Sequence, residues 1–153
     1  MVARRNEDPP RWARVLDVRK GLMKLRFDFN ESTNLERALH DTLLEFNGDL
    51  ADCMVTVGAN ADITFKPCQL SSPAQNALQC KQAAVEVDLP EFLRLLCGMV
   101  QIIDGHVSIT RSRSDPQTVL DLRVVDSSFA LVETEDKKVL RAFEARLGGE
   151  RRT

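Results

Sequence analysis

The side chains from which a catalytic or metal site would have to be drawn are few: two histidines, four cysteines and no tyrosine in 153 residues. His40 stands among charged residues, and His106 follows Asp104 and Gly105, a pair typical of a tight turn. Cys97 and His106 come nearest to a thiol–imidazole dyad. Cys97, however, adjoins Leu95 and Leu96 in a run that reads as core, where a thiol is inert packing. Cys53, Cys68, Cys80 and Cys97 lack the short Cys-x-x-Cys spacing of a zinc or redox pair. Neither a Gly-x-Gly-x-x-Gly segment nor a Gly-Lys-Ser/Thr phosphate loop occurs. No catalytic, cofactor-binding or metal-ligating residue is assigned on this basis, no cofactor is expected, and an enzyme ranks third among the readings.

The distribution of charge says more. Residues 1–26 carry eight basic and three acidic side chains, residues 27–104 four and twelve, and residues 105–153 nine and eight. A cationic arm is joined to an acidic body. Arg4, Arg5, Arg11, Arg14, Arg19 and Lys20, with Trp12 among them, are of the types that neutralise phosphates and stack on a base. Lys24 and Arg26 extend that strip into the first regular element. Together they are the candidate contacts for nucleic acid or another acidic partner. Glu7, Asp8, Pro9 and Pro10 dilute the arm, so a plain solubilising tail competes with this role. Arg111, three residues before Ser114, matches the preference of basophilic kinases and makes Ser114 the candidate phosphosite, with Ser72 before Pro73 a weaker one.

The elements that would position these residues follow from periodicity. Met23, Leu25, Phe27 and Phe29 alternate with Lys24, Arg26 and Asp28, which predicts a half-buried strand over residues 22–29. Thr33 and Glu36 read as the capping box of a helix whose buried face carries Leu35, Ala38, Leu39, Thr42, Leu43 and Phe46 and which stops at Asn47 and Gly48. Glu36, Arg37, His40, Asp41 and Glu45 would form its solvated face. Residues 53–57 and 63–66 predict a hairpin around Gly58, Ala59 and Asn60. Residues 68–82 keep no lasting period and read as loop. Residues 85–89 predict a strand, after which Asp88, Pro90 and Glu91 start a second helix. That helix ends at Gly98 or at Gly105. The shorter form is preferred, because a turn at Asp104 and Gly105 would set Val100 opposite Ile109 and Ile102 opposite Val107. Strands around residues 120–124 and 129–132 precede a last helix, capped by Thr134, that buries Val139, Ala142, Phe143 and Leu147 and ends at Gly148 and Gly149.

The expected fold is α+β: a mostly antiparallel sheet of about seven to eight strands with three helices. Two strand–helix–hairpin units in succession suggest a pseudo-repeat. Residues 1–20 are expected to be a basic, flexible arm, 21–148 a single domain and 149–153 a flexible tail. Such a sheet leaves two edges, either guarded by charges such as Lys66, Arg111 and Arg123 or paired with a partner. In element order alone, residues 22–66 and 85–125 resemble a DNA sliding-clamp domain, built from two strand–helix–three-strand units. The alternation of helices and strands in a small acidic chain is also similar to a type III secretion chaperone. The clamp resemblance implies association with nucleic acid, although clamp helices present Lys and Arg to the duplex whereas the two helices here offer Arg37 and Arg94. The preferred expectation is a non-enzymatic intracellular interaction subunit, an adaptor or assembly factor that pairs with a protein or a second copy through a sheet edge. A clamp-like or other nucleic-acid-associated protein is the alternative. Without an apolar run long enough for a membrane helix or a secretory signal, the expected location is the cytoplasm or nucleus, with no membrane partner.

Overall fold

Alternation of apolar and polar residues builds a sheet with one dry face and one wet face. The computed structural model describes residues 13–19, 22–30, 33–67, 72–111 and 118–148; residues 13–19, 22 and 148 are described by their backbone. Among these residues eight strands pair throughout in antiparallel fashion: β1 (Ala13–Arg19), β2 (Leu22–Asp28), β3 (Met54–Val57), β4 (Asp62–Phe65), β5 (Val85–Asp88), β6 (Met99–Thr110), β7 (Thr118–Val125) and β8 (Phe129–Thr134). Seven of them run in the order β1-β2-β8-β7-β6-β3-β5, and β4 pairs with β6 off that path. The register places Leu25, Val132, Leu122, Val107, Val57 and Val85 side by side across six strands, all buried. A second row runs Met23, Thr134, Leu120, Ile109, Val55 and Val87. Each fully buried aliphatic chain in these rows contributes about 1.5–3 kcal/mol of transfer free energy. Thr134 is tolerated in the dry row because its hydroxyl donates to the Val119 carbonyl and accepts the Asp136 N–H at 3.0 Å.

Among the described residues four helices supply the rest of the core, one more than the periodicity predicts: α1 (Leu35–Glu45), α2 (Pro73–Cys80), α3 (Leu89–Gly98) and α4 (Lys137–Gly148). The additional helix is α2, in the stretch expected to be loop. Ser72 caps it by accepting the Gln75 N–H at 3.1 Å, Pro73 suits its first turn, and Lys81 at φ 59° ends it. It buries Leu78 alone, which is why no apolar period marked it. Two expected caps shift by a residue or two. Asn34, not Thr33, caps α1 by accepting the Arg37 N–H at 3.0 Å, while the Thr33 N–H turns back to the Asn30 carbonyl. Asp136, not Thr134, caps α4, its carboxylate accepting the Lys138 and Val139 N–H groups at 2.9 and 3.3 Å. Asp88 caps α3 as predicted, accepting the Glu91 N–H at 2.9 Å, and the helix ends at Gly98. Replacing Asp88 with Ala is expected to cost about 1 kcal/mol in a urea titration.

Burial pushes the Glu144 carboxyl on α4 above its ordinary range, with Arg141 opposing the shift. A carboxyl raised by folding holds its proton more tightly in the native than in the unfolded chain. Its stability contribution is therefore whole below the unfolded pKa and is lost as pH rises through the folded one. Glu144→Gln is expected to be more stable than the parent at neutral pH, with the difference fading toward about pH 4. Thermal melts across that range check it.

The two expected hairpins are absent, and one strand explains both. β6 runs unbroken from Met99 to Thr110, straight through Asp104 and Gly105. β3 pairs with its second half, Val57 opposite Val107 and Met54 opposite Thr110, and β4 with its first half, Ile63 opposite Ile102 and Phe65 opposite Met99. β3 and β4 thus lie end to end along a single neighbour, joined by a corner at which Asn60 takes φ 67°, and they do not pair with each other. Gly105 marks the junction. A Cβ there would sit 3.3 Å from the Ala61 Cβ, so the glycine lets the corner close against β6. With both hairpins gone, the strand–helix–hairpin pseudo-repeat goes too. Residues 13–19, expected to belong to the arm, are instead an edge strand, and the ordered sheet begins earlier than the expected boundary at residue 21.

Candidate functional site

The wet face of the sheet carries two ordered polar rows. One runs Lys24, Glu133, Asp121, Ser108, Thr56 and Glu86, and the other Arg26, Leu131, Arg123 and His106. Charges on this face are largely matched to one another. Lys24 lies 3.7 Å from Glu133, Arg26 contacts Asp28 at 2.8 Å and stacks 3.8 Å over the Phe129 ring, and His106 Nε2 is 2.6 Å from Asp121 Oδ1. The two members of the basic strip whose side chains are described, Lys24 and Arg26, are therefore each held by a carboxylate. Arg123 sits on β7, between β6 and β8, so it guards no edge. His106, expected beside a turn, is a mid-strand residue whose partner is a carboxylate rather than a thiol. A hollow of about 280 Å³ among Lys24, Asp121, Arg123, Leu131 and Glu133 is lined by two charges of each sign.

The helix side departs from expectation at three residues. Glu36, expected on the solvated face of α1, is half-buried, and its Oε2 accepts the Ile102 N–H of β6 at 2.8 Å. Cys97, expected in the core, is exposed. Phe92, Leu95 and Leu96 take the buried stripe of α3, and the helical period turns Cys97 out with Arg94, three residues earlier. His40 is half-buried, its Nδ1 2.9 Å from Asp41 Oδ1. These residues meet in a groove of about 600 Å³ between α1, the end of α3, the end of β4 and the start of β6, walled by Glu36, His40, Lys66, Leu96, Cys97 and Val100 among others. Of the other described thiols, Cys80 is exposed, and Cys53 is buried and pushed up in pKa by that burial, as suits inert packing. Among the described residues no cluster of three metal-ligating side chains occurs, and no helix is long and apolar enough to cross a membrane.

Arg4, Arg5, Arg11, Trp12, Lys20 and Ser114 lie outside the described residues. Arg14 and Arg19 are placed in β1 by their backbone. Ser72 is engaged as a helix cap. The sheet path ends at β1 and β5. β1 carries a register shift between Val15 and Asp17, an irregularity of the kind that blunts an edge, whereas β5 pairs with β3 in four unbroken registers and has no described strand on its outer side. Its wet-face residues are Glu86 and Asp88, both exposed.

These features define an α+β protein in which an antiparallel sheet packs against helices. No protein-family model matches the sequence, and no curated protein or solved structure matches it.

Proposed function

We propose that the chain is a non-enzymatic interaction subunit, an adaptor or assembly factor, which takes a partner's extended segment on the outer edge of β5. The observation that carries this reading is the regularity of that edge: four straight registers with β3 and an unoccupied outer side among the described strands. Such an edge offers main-chain donors and acceptors to an added strand. Charge favours a basic partner. A two-fold pairing of β5 with a second β5 that kept both dry faces on one side would set Glu86 or Asp88 directly against its own kind, which disfavours self-pairing there. A segment with Lys or Arg at alternate positions avoids that like-charge clash beside Glu86 and Asp88, the latter also holding the Glu91 N–H. The enzyme reading has less support, since His106 and His40 lie on different faces and each is coupled to a carboxylate with no nucleophile in a described contact. The nucleic-acid reading has less support too, because Lys24 and Arg26 are already matched by acids.

Adjacent amides in a strand point to opposite sides, so one of the Glu86 and Val87 N–H groups bonds to β3 and the other faces outward. Residue-resolved hydrogen exchange is expected to show the outward amide slowed at least tenfold by an octapeptide alternating Lys and Thr, and not by one alternating Glu and Thr. Equal exchange with and without the basic peptide would sink the reading. A DNA titration whose affinity falls steeply with salt would favour the clamp-like alternative instead.

A further inference from the structure

We infer that the groove between α1, the end of α3 and the start of β6 binds a small organic anion with an apolar body. Lys66 meets its charge, and Leu96, Met99 and Val100 carry its body. The volume of about 600 Å³ is in the range of small-molecule sites. Its acids are committed internally. Glu36 accepts the Ile102 N–H at 2.8 Å, and Asp41 holds His40 Nδ1 at 2.9 Å and stands 3.8 Å from Arg37 Nε. Among the described residues Lys66 pairs with no carboxylate, whereas Arg37 stands beside Asp41, so Lys66 is the basic group on the groove wall left for a ligand. With Nδ1 turned to Asp41, the remaining His40 ring nitrogen is left as a second polar contact.

The apolar part is equally specific. Val100 is 52 % exposed on a strand that buries Met99 and Ile102 to either side, and Leu44, also 52 % exposed, follows one turn along α1 from His40. These are the two large exposed apolar residues described, and an apolar body laid along the groove covers Val100 first. In the wet-face hollow Lys24 already stands 3.7 Å from Glu133, and the first N–H groups of α4, beside another hollow, are taken by Asp136.

The anionic fluorophore anilinonaphthalene sulfonate serves as the probe, displaced by octanoate, octanol or octylamine, which share a chain and differ in head group. Octanoate is expected to displace it best, and Lys66→Met to weaken octanoate about fivefold while leaving octanol unchanged. Cys97 gives an independent readout, because it lines the groove whereas Cys80 on α2 does not. Octanoate is expected to slow iodoacetamide alkylation of Cys97 severalfold and leave that of Cys80 unaltered, as read by peptide mass spectrometry. Displacement by octanol or octylamine equal to that by octanoate, unchanged affinity in Lys66→Met, or an unprotected Cys97 would each overturn the assignment. The exposed position of Lys66 lets that variant fold, which circular dichroism verifies.

Discussion

Phe143→Ala is expected to lower the unfolding free energy by about 3–5 kcal/mol. The ring is fully buried and meets Phe27 edge-on, with centroids 5.8 Å apart and planes at 78°. It joins the last helix to the second strand. Phe27 belongs to the register row Phe27, Ala130, Val124 and Gly105, in which it is the one large side chain. Truncation removes the ring's transfer free energy and its edge-to-face contact, and the rigid strand below cannot collapse into the space. Against a total stability of about 5–15 kcal/mol for a domain of this kind, such a loss is severe. Urea unfolding followed by far-ultraviolet circular dichroism measures it. Phe143→Leu, which keeps most of the volume, should cost no more than about 1.5 kcal/mol. Equal costs for the two variants would mean that packing volume is not what Phe143 contributes.

Elements whose signal is local were legible in the sequence. β2 and β7 each have one wet face, so strict alternation revealed both the strand and its orientation, while β8 was read only as a short strand over residues 129–132. Asp88 followed by Pro90 marked α3 by a chemistry confined to one turn. The α+β class and antiparallel pairing followed from these. What stayed hidden depends on residues far apart in the chain. A pair of short alternating segments around Gly58, Ala59 and Asn60 looks the same whether the chain folds back or turns a corner. What distinguishes the two is β6, forty residues later, which is long enough to pair with both. Asp104 and Gly105 carried a turn signal for a different reason, since glycine is needed there to admit Ala61. α2 was missed because one buried leucine makes no period.

The groove was hidden for the same physical cause. Glu36, His40 and Asp41 read as a solvated helix face because a carboxylate that answers a strand amide sixty-six residues away has no local signature. Cys97 was misplaced by its neighbours: Leu95 and Leu96 are buried, yet consecutive helix positions turn by about 100°, and the next residue points outward. Counting each position around α3 from Phe92, rather than averaging along it, was the signal that could have found it.

Glu36→Ala is expected to cost about 1–3 kcal/mol, more than an ordinary half-buried glutamate, because it removes a charged acceptor from a strand amide. Ile102 is itself 2 % exposed, and its N–H donates to the Glu36 carboxylate at 2.8 Å. The register of β4 with β6 shifts just beyond this point, between Asp62 and Ile63, and the carboxylate supplies an acceptor where the ladder is irregular. Glu36 also sits in the first turn of α1, where its charge favours the helix dipole by a few tenths of a kcal/mol. Glu36→Gln separates the two contributions. It keeps an oxygen to accept the Ile102 N–H but loses the charge, so it should retain roughly half of the stability that Ala forfeits. Hydrogen exchange at the Ile102 amide gives the site-specific test, with fast exchange in Glu36→Ala and intermediate exchange in Glu36→Gln. If the two variants behaved alike, the contribution would be the helix dipole alone, and the link from α1 to β6 that closes one wall of the groove would be carried by packing instead.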